Sequence, residues 1–207
     1  VDDVSHSAKS DLRTALLRAR RAVPAARREQ EAAALCAHLP ALVRAGDTVC
    51  AYVPVGSEPG SIDLVERLDA LGARVLLPVT GLIGEEPTAL RWGRYRAGGL
   101  VPARYGLLEP APPWLDADEV ATAATILVPA LAVDRSGVRL GRGAGFYDRT
   151  LKSAHPQARL VAVVRDEELV DDLPAEPHDV RMTDALTPGR GVVALGECHR
   201  RNGGSST

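Results

Sequence analysis

The amino-acid sequence predicts an α/β fold: a single three-layer domain on a central, largely parallel sheet. Several fully apolar runs, each short enough for one strand, alternate with segments of helical periodicity, as expected when helices cover both faces of a sheet. Residues 48–79 read strand, helix, strand at the length of one βαβ unit, a connection that is right-handed in nearly all proteins. The chain has 207 residues and a mass of 21.9 kDa. A monomer of that size buries about 70% of its unfolded surface, so one core suffices without metals or disulfides. The domain is expected over residues 7–199, with polar, weakly anchored tails at 1–6 and 200–207.

Residues 7–23 open a helix on which Leu12, Leu16 and Ala19 make one apolar stripe. Pro24 interrupts it, because its ring fixes φ and it has no N–H. Helical periodicity then resumes up to Gly46. TVCAYVPV, residues 48–55, is a β-branched apolar run that reads as a buried strand opening into the loop GSEPGS. In the next helix Ser61 is the expected N-cap, Ile62, Val65 and Leu68 share the buried face, and Gly72 ends it. RVLLPV, residues 74–79, returns as a strand. From Thr80 to Pro113 the chain is rich in glycine and proline, which predicts a long excursion with short strands over one side of the sheet. ATILVPALAV at 124–133 is the clearest central strand, ARLVAVV at 158–164 the second, and GVVAL at 191–195 the last.

Acidic and basic residues number 27 and 25, for a net charge of -2. That near-balance gives no basic groove for nucleic acid and no lipid-seeking surface, so neither partner is expected. All basic residues except Lys9 and Lys152 are arginine. A genome-wide codon preference is the bland explanation of the ratio; the narrower expectation is that Lys9 answers a chemical demand that arginine does not meet. Arg18, Arg20, Arg21, Arg27 and Arg28 read as surface charges. Cys36, Cys50 and Cys198 are widely spaced with no CxxC pair, which argues against a disulfide framework or a zinc site and fits a reduced, cytoplasmic compartment. No apolar h-region opens the chain and no run approaches the roughly 18 apolar residues of a membrane span.

The segment richest in chemistry is VPALAVDRSGVRLGRGAGFYDRTL, residues 128–151. An apolar strand ends near Val133, a turn follows, and Gly141, Gly143 and Gly145 stand at alternate positions before a helix expected near Phe146. Glycines so placed can turn several amides toward one concavity, a helix N-terminus adds positive potential, and both favour an oxyanion such as phosphate. Arg139 and Arg142 could reinforce it with charge-assisted hydrogen bonds. The GxGxG spacing matches neither the dinucleotide fingerprint nor the P-loop. From the residues alone, a phosphate-binding loop, a structural glycine-rich turn and close backbone packing all stay open. For Asp148, magnesium binding and capping of local amides stand equal.

RLGRGAGFYDR at 139–149, preceded by VPALAVDRSG, is accompanied by KSDLR at 9–13, AYVPVGSEPGS at 51–61, GLLEP at 106–110 and PHDVRMTD at 177–184. On these stretches, over residues 7–195, the chain resembles the 5-formyltetrahydrofolate cyclo-ligase (5,10-methenyltetrahydrofolate synthetase) family. The resemblance implies a NagB/RpiA/CoA-transferase-like sheet. It also implies ATP- and magnesium-dependent conversion of 5-formyltetrahydrofolate into 5,10-methenyltetrahydrofolate, ADP and phosphate. In the family's reaction the formyl oxygen attacks the γ-phosphate, N10 attacks the activated carbon, and phosphate leaves.

The same resemblance implies ATP contacts at Lys9, Arg13, Arg139, Leu140, Gly141, Arg142, Gly143, Ala144, Gly145, Phe146 and Tyr147. Lys9, Arg13, Arg142 and Asp148 are the implied catalytic set. On the folate side stand Val53 and Glu58, with Arg142, Gly143, Ala144, Gly145 and Phe146 closing the other side. Asp148 and Asp179 are the implied magnesium ligands, and His178 a local orienting residue. Lys9 and Arg13 lie four apart, so a helix presents both on one face. Trp92 and Tyr95 could stack on the folate rings or pack in the core. Ala144 stands where family members carry lysine or glycine, and Phe146 where tyrosine is common, so the loop lacks one charge and one hydroxyl. A monomer is expected, with a dimer as the alternative. The competing readings are a sugar-phosphate isomerase or transferase, a non-catalytic ligand-binding module, and RNA binding through the early arginines.

Overall fold

The computed structural model describes residues 2–80, 88–103, 106–176 and 179–196, with side chains from residue 8 onward. The helices are α1 (Asp2–Arg21), α2 (Ala25–His38), α3 (Asp63–Ala70) and a short α4 (Phe146–Thr150). Thirteen strands are described: β1 (Thr48–Cys50), β2 (Arg74–Val79), β3 (Arg91–Arg94), β4 (Leu100–Pro102), β5 (Leu108–Pro110), β6 (Trp114–Leu115), β7 (Thr125–Pro129), β8 (Ala132–Asp134), β9 (Arg139–Leu140), β10 (Arg159–Val163), β11 (Leu169–Val170), β12 (Asp184–Thr187) and β13 (Gly191–Ala194).

Eight strands form the main sheet in the order β13-β12-β10-β7-β1-β2-β3-β6. Strands β12, β10, β7, β1 and β2 run parallel, and antiparallel strands flank them: β13 at one end, β3 and β6 at the other. The sheet is therefore mixed, with a parallel centre, and is less uniformly parallel than the apolar runs suggested. Period-two alternation divides its side chains between two cores. Val49, Val75, Leu77, Leu127 and Val161 face Leu35 and Leu39 together with Leu64, Val65 and Leu68 of α3. Cys50, Leu76, Ile126, Val128 and Ala162 face the other way, toward Val120, Ala123 and Leu151. At about 25 cal/mol per Å² of apolar area, this two-sided burial is the main term favouring the fold. No described helix is long and apolar enough to cross a membrane.

The β1–α3–β2 unit forms where it was expected, with β1 and β2 paired in parallel. Ser61 Oγ accepts from the Asp63 amide at 3.2 Å, so it serves the start of α3 even though the helix opens after Ile62. Other boundaries moved. Helix α1 starts at Asp2, ahead of Ser7, and α2 stops at His38 because Pro40, within the 3-10 turn Leu39–Ala41, cannot donate to a continuing helix. Only the first three residues of TVCAYVPV are strand; Pro54 has no amide to pair, and Gly56 turns the chain at a φ of 62°. The Thr80 to Pro113 excursion supplies β3 to the main sheet and the β4–β5 hairpin, which packs on it. Residues 81–87, 104–105, 177–178 and 197–207 lie outside the described residues, and with them Cys198, His178 and the expected C-terminal tail.

The largest departure is in ATILVPALAV, which is two strands. Strand β7 ends at Pro129 in the main sheet, while β8 belongs to a three-stranded sheet, β11-β8-β9. Of the stripe expected on α1, Leu12 and Leu16, joined by Leu17, pack on Leu131, Val138, Leu140 and Leu173 of this small sheet and its surroundings, while Ala19 is exposed.

Hairpin and sheet meet at Gly93, where a Cβ would lie 2.7 Å from Pro110 Cβ and 2.9 Å from its Cγ. Gly93→Ala should therefore force β3 and β5 apart and lower stability by about 1–3 kcal/mol, the usual cost of overpacking. Urea unfolding checks it; an unchanged midpoint would mean that the hairpin moves freely off the sheet.

Candidate active site

The parallel strands β1, β7 and β10 end together and open into three connections, at 51–60, 130–131 and 164–168. Ligands of open α/β sheets collect at this end, because the connections diverge there. Asp134 sets the first wall. Buried at 1% exposure, its Oδ1 accepts from Ser136 N and Ser136 Oγ (both 2.8 Å) and Val138 N (2.9 Å), while Oδ2 accepts from Leu173 N at 3.1 Å. The β8–β9 turn is thereby closed, and the glycine-rich segment leaves β9 in a fixed direction.

Arg139 organises that segment. Its Nη2 donates to Asp148 Oδ1 at 2.7 Å and its Nη1 to Pro129 O at 3.2 Å, while the guanidinium lies 5.9 Å from the centre of the Tyr147 ring. A Cβ on Gly141 would come within 2.6 Å of Arg139 Nη1, so a side chain there would push the guanidinium from its place. Gly143 has a φ of 100°, a left-handed conformation that a branched residue does not tolerate. From α1, Arg13 Nε donates to Gly141 O at 3.0 Å and ties the segment to the first helix. Helix α4 is only five residues long, so the helix-terminus potential expected at Phe146 is small. What favours an anion here is the guanidinium groups of Arg139 and Arg142, both on the cavity wall.

The resulting cavity has a volume of about 880 Å³. Arg139, Gly141, Arg142, Gly143, Ala144, Gly145, Phe146, Tyr147 and Asp148 line it, and so does Glu58. Glu58 is well sheltered: Oε2 accepts from Val55 N at 3.0 Å, and Oε1 pairs with Arg142 Nη2 at 3.1 Å. Burial first, and the Glu58 charge second, raise the Tyr52 and Tyr147 phenols above the ordinary tyrosine value, so both stay protonated. The Tyr52 hydroxyl has no hydrogen-bond partner among the described residues.

Other expected residues stand off the cavity wall. Leu140 is buried in the core under the small sheet, and Val53 packs against the α2–α3 core. Lys9, only 7% exposed, pairs with Glu176 at 3.0 Å and Asp179 at 3.4 Å. Trp92, fully buried, and Tyr95 belong to the two cores, which removes them as ring-stacking surfaces. Thr80, Leu107, Pro129, Ala130, Leu131 and Arg20 line the cavity although the sequence did not single them out.

Arg20 corrects the reading of the early arginines as surface charges. At 2% exposure it donates from Nε and Nη2 to the Glu168 carboxylate, each at 2.7 Å, and from Nη2 to Ala130 O at 2.6 Å. The signal was in the periodicity: Arg20 follows Leu16 by four residues and so continues the buried stripe.

For a metal, the donor set is sparse. No group of three or more His, Cys, Asp or Glu able to hold an ion exists among the described residues. Asp148 Oδ1 accepts from Arg139 Nη2, and Asp179 Oδ2 accepts from Glu176 N at 2.7 Å. These residues do not build a cage for a resident magnesium. They fit an ion that arrives with phosphate oxygens and water and needs one or two protein carboxylates.

The model of the 5-formyltetrahydrofolate cyclo-ligase family matches residues 5–188. The chain is 63% identical over 193 residues to the 5-formyltetrahydrofolate cyclo-ligase of Mycolicibacterium smegmatis, covering 93% of this chain and 100% of that one. It is 32% identical over 162 residues to the Escherichia coli enzyme of the same name, covering 78% and 88%. Its fold is similar to that of Aquifex aeolicus 5,10-methenyltetrahydrofolate synthetase, with a TM-score of 0.74, 24% identity and 96% coverage of both chains. The synthetase of Mycoplasma pneumoniae superimposes with a TM-score of 0.65 at 21% identity, covering 84% of this chain and 94% of that one.

Arg20→Met keeps the length of the side chain but leaves Glu168 charged and buried without its fork. Loss of one partner of a buried pair costs about 3–5 kcal/mol, and urea unfolding should show a loss of that order. A loss below about 1 kcal/mol, the worth of an exposed pair, would contradict the burial of Arg20.

Proposed function

Since the chain belongs to the 5-formyltetrahydrofolate cyclo-ligase family, we propose that its cavity is where the family's reaction is carried out. The activity is the ATP- and magnesium-dependent conversion of 5-formyltetrahydrofolate to 5,10-methenyltetrahydrofolate. The observation that carries the placement is that Glu58 and the loop from Arg139 to Asp148 line one cavity. A carboxylate suits the paired N–H donors of a pterin, and a glycine-rich loop with two guanidiniums suits a triphosphate. The two ligands would be side by side, as phosphoryl transfer between them requires.

The chemistry asks the protein chiefly for alignment. The formyl oxygen attacks the γ-phosphorus, the bridging P–O bond breaks and ADP departs. N10 then attacks the formyl carbon and gives up its proton, and the C–O bond breaks so that phosphate carries the former formyl oxygen away. Hydroxide would be a poor leaving group from that carbon, whereas phosphate leaves readily. Glu58 would hold the pterin, with the 53–58 connection beneath it. Pterin donors entering the cavity compete for the carboxylate that Arg142 now holds, and a displaced Arg142 is free to meet the transferring phosphoryl group. Arg139 stays clamped by Asp148 and Pro129 O, and the amides of Gly141 to Tyr147 would face the phosphates.

Magnesium, bound with the triphosphate, supplies charge neutralisation at the phosphoryl oxygens. Asp148 would offer it the oxygen not engaged by Arg139, and Asp179 would hold its water shell once released from Lys9, whose ammonium would then turn to phosphate. Arg13 acts on the nucleotide through the loop it straps. A NagB/RpiA-like architecture, a single domain over 7–199, a monomeric state and a cytoplasmic setting complete the reading.

The direct test supplies purified protein with ATP, magnesium and 5-formyltetrahydrofolate. ADP and the absorbing methenyl product should form together and in equal amounts; product without ATP, or ATP hydrolysis without product, would overturn the reading. Two variants should separate the halves of the cavity. Gly143→Val forces a branched residue into a left-handed backbone and should weaken ATP binding about tenfold or more in calorimetry, with a smaller loss for folate, which the same loop closes from the other side. Glu58→Gln replaces an acceptor with a donor and should lower kcat/KM for folate about 10- to 100-fold, as expected for a lost charged hydrogen bond, with ATP affinity preserved. Equal loss for both ligands in either variant would count against the division.

A further inference from the structure

The buried charges that border the cavity form a connected set, and the set reaches the wall at two backbone carbonyls. Arg165, just beyond the end of β10, is 2% exposed, as is Arg20; Glu168 is 3% and Glu31 8% exposed. Arg165 Nε donates to Glu31 Oε2 at 2.7 Å, Arg165 N to Glu168 Oε2 at 2.8 Å, and Arg165 Nη1 to Ser57 O at 3.2 Å. Glu168 also receives both bonds of the Arg20 fork, and Arg20 reaches Ala130 O. Two guanidiniums thus face two carboxylates, and each guanidinium keeps one donor for a carbonyl next to or within the cavity wall.

Ser57 is the neighbour of Glu58. The 55–58 turn is closed on itself by Glu58 N to Val55 O at 3.1 Å and Val55 N to Glu58 Oε2 at 3.0 Å. The only described hydrogen bond from a distant side chain to its backbone is the one from Arg165. We infer that Arg165 and Glu168 are positioning residues for Glu58: they touch no substrate, but they fix the turn that presents the folate-binding carboxylate. Buried ion pairs contribute little net stability compared with apolar residues of the same volume, so stability alone does not account for the set. Precision does: a carboxylate on a connecting segment holds its geometry only if the backbone beneath it is anchored to a rigid element, here the end of β10.

The inference rests on Glu58 being the folate-binding carboxylate, and its test has an arm that does not need activity. Arg165→Lys keeps the positive charge between Glu31 and Glu168 but removes the fork that also reaches Ser57 O. Glu168→Gln, which keeps shape and an acceptor, is the second variant, and Arg27→Gln, at the exposed end of the Glu31 pair, is the control. Hydrogen exchange should speed up at the Val55 and Glu58 amides in both buried variants and not in the control, with amides of β7 and β10 unchanged in Arg165→Lys, which leaves the Arg20 fork on Glu168 in place. The folate KM should rise about tenfold with the ATP KM within about twofold, short of the hundredfold loss that a misplacement of roughly 1 Å can cause. Unchanged exchange at 55–58, or faster exchange throughout the sheet with both KM values raised together, would overturn the inference. Were the wild type to convert no folate, the reaction proposed above would fall, while the exchange measurement would still decide whether Arg165 holds the turn.

Discussion

The bidentate pair between Arg20 and Glu168, shut away from water, governs where the apolar run at 124–133 stops being one strand. A strand running on past Pro129 would need ladder partners for its carbonyls. Instead Ala130 O accepts from Arg20 and Pro129 O from Arg139, so the chain leaves the main sheet with its polar groups satisfied. That break allows β8 to start a second sheet, sends the β8–β9 hairpin across the end of the parallel strands, and gives the cavity its floor. The same Glu168 holds Arg165, and through it the turn carrying Glu58. One buried group of four charges therefore ties α1, α2, the end of β10 and two walls of the cavity together.

The other wall depends on backbone freedom. Gly141 leaves room for the Arg139 guanidinium, and Gly143 and Gly145 take positive φ, so the loop turns sharply without a long helix behind it. Arg13 binds the loop to α1 through Gly141 O. Helix α1 thus performs two jobs: Leu12, Leu16 and Leu17 seal the small sheet, while Arg13, beside Leu12, and Arg20, one turn beyond Leu16, fasten the loop and the strand break.

Much of this was legible in the sequence, and the parts that were not share a cause. The βαβ unit from 48 to 79 could be read because its signals are local: alternation, a serine at the helix start, a glycine after it. The glycine loop could be singled out because residue type and spacing carry the chemistry, Glu58 only through the family resemblance, and both line one cavity. Arg20 was misread because a charged residue on a helix is usually solvated, and its partner Glu168 lies 148 positions away; only the i to i+4 step from Leu16 hinted at burial. The split of ATILVPALAV had no local marker beyond Pro129, since it is imposed by side chains from α1 and β9. Trp92 and Tyr95 look the same in sequence whether they stack on a ligand or fill a core, and here they fill cores.

Both halves of the cavity matter only if they bring the formyl oxygen onto the γ-phosphorus. The measurement that tests this most directly uses 5-formyltetrahydrofolate carrying heavy oxygen in its formyl group. After turnover with ATP, mass spectrometry of the released phosphate should find the label in it, one atom per molecule of methenyl product. Unlabelled phosphate, with the heavy oxygen released to water, would contradict the account, because the formyl oxygen would then never have been joined to phosphorus in the cavity.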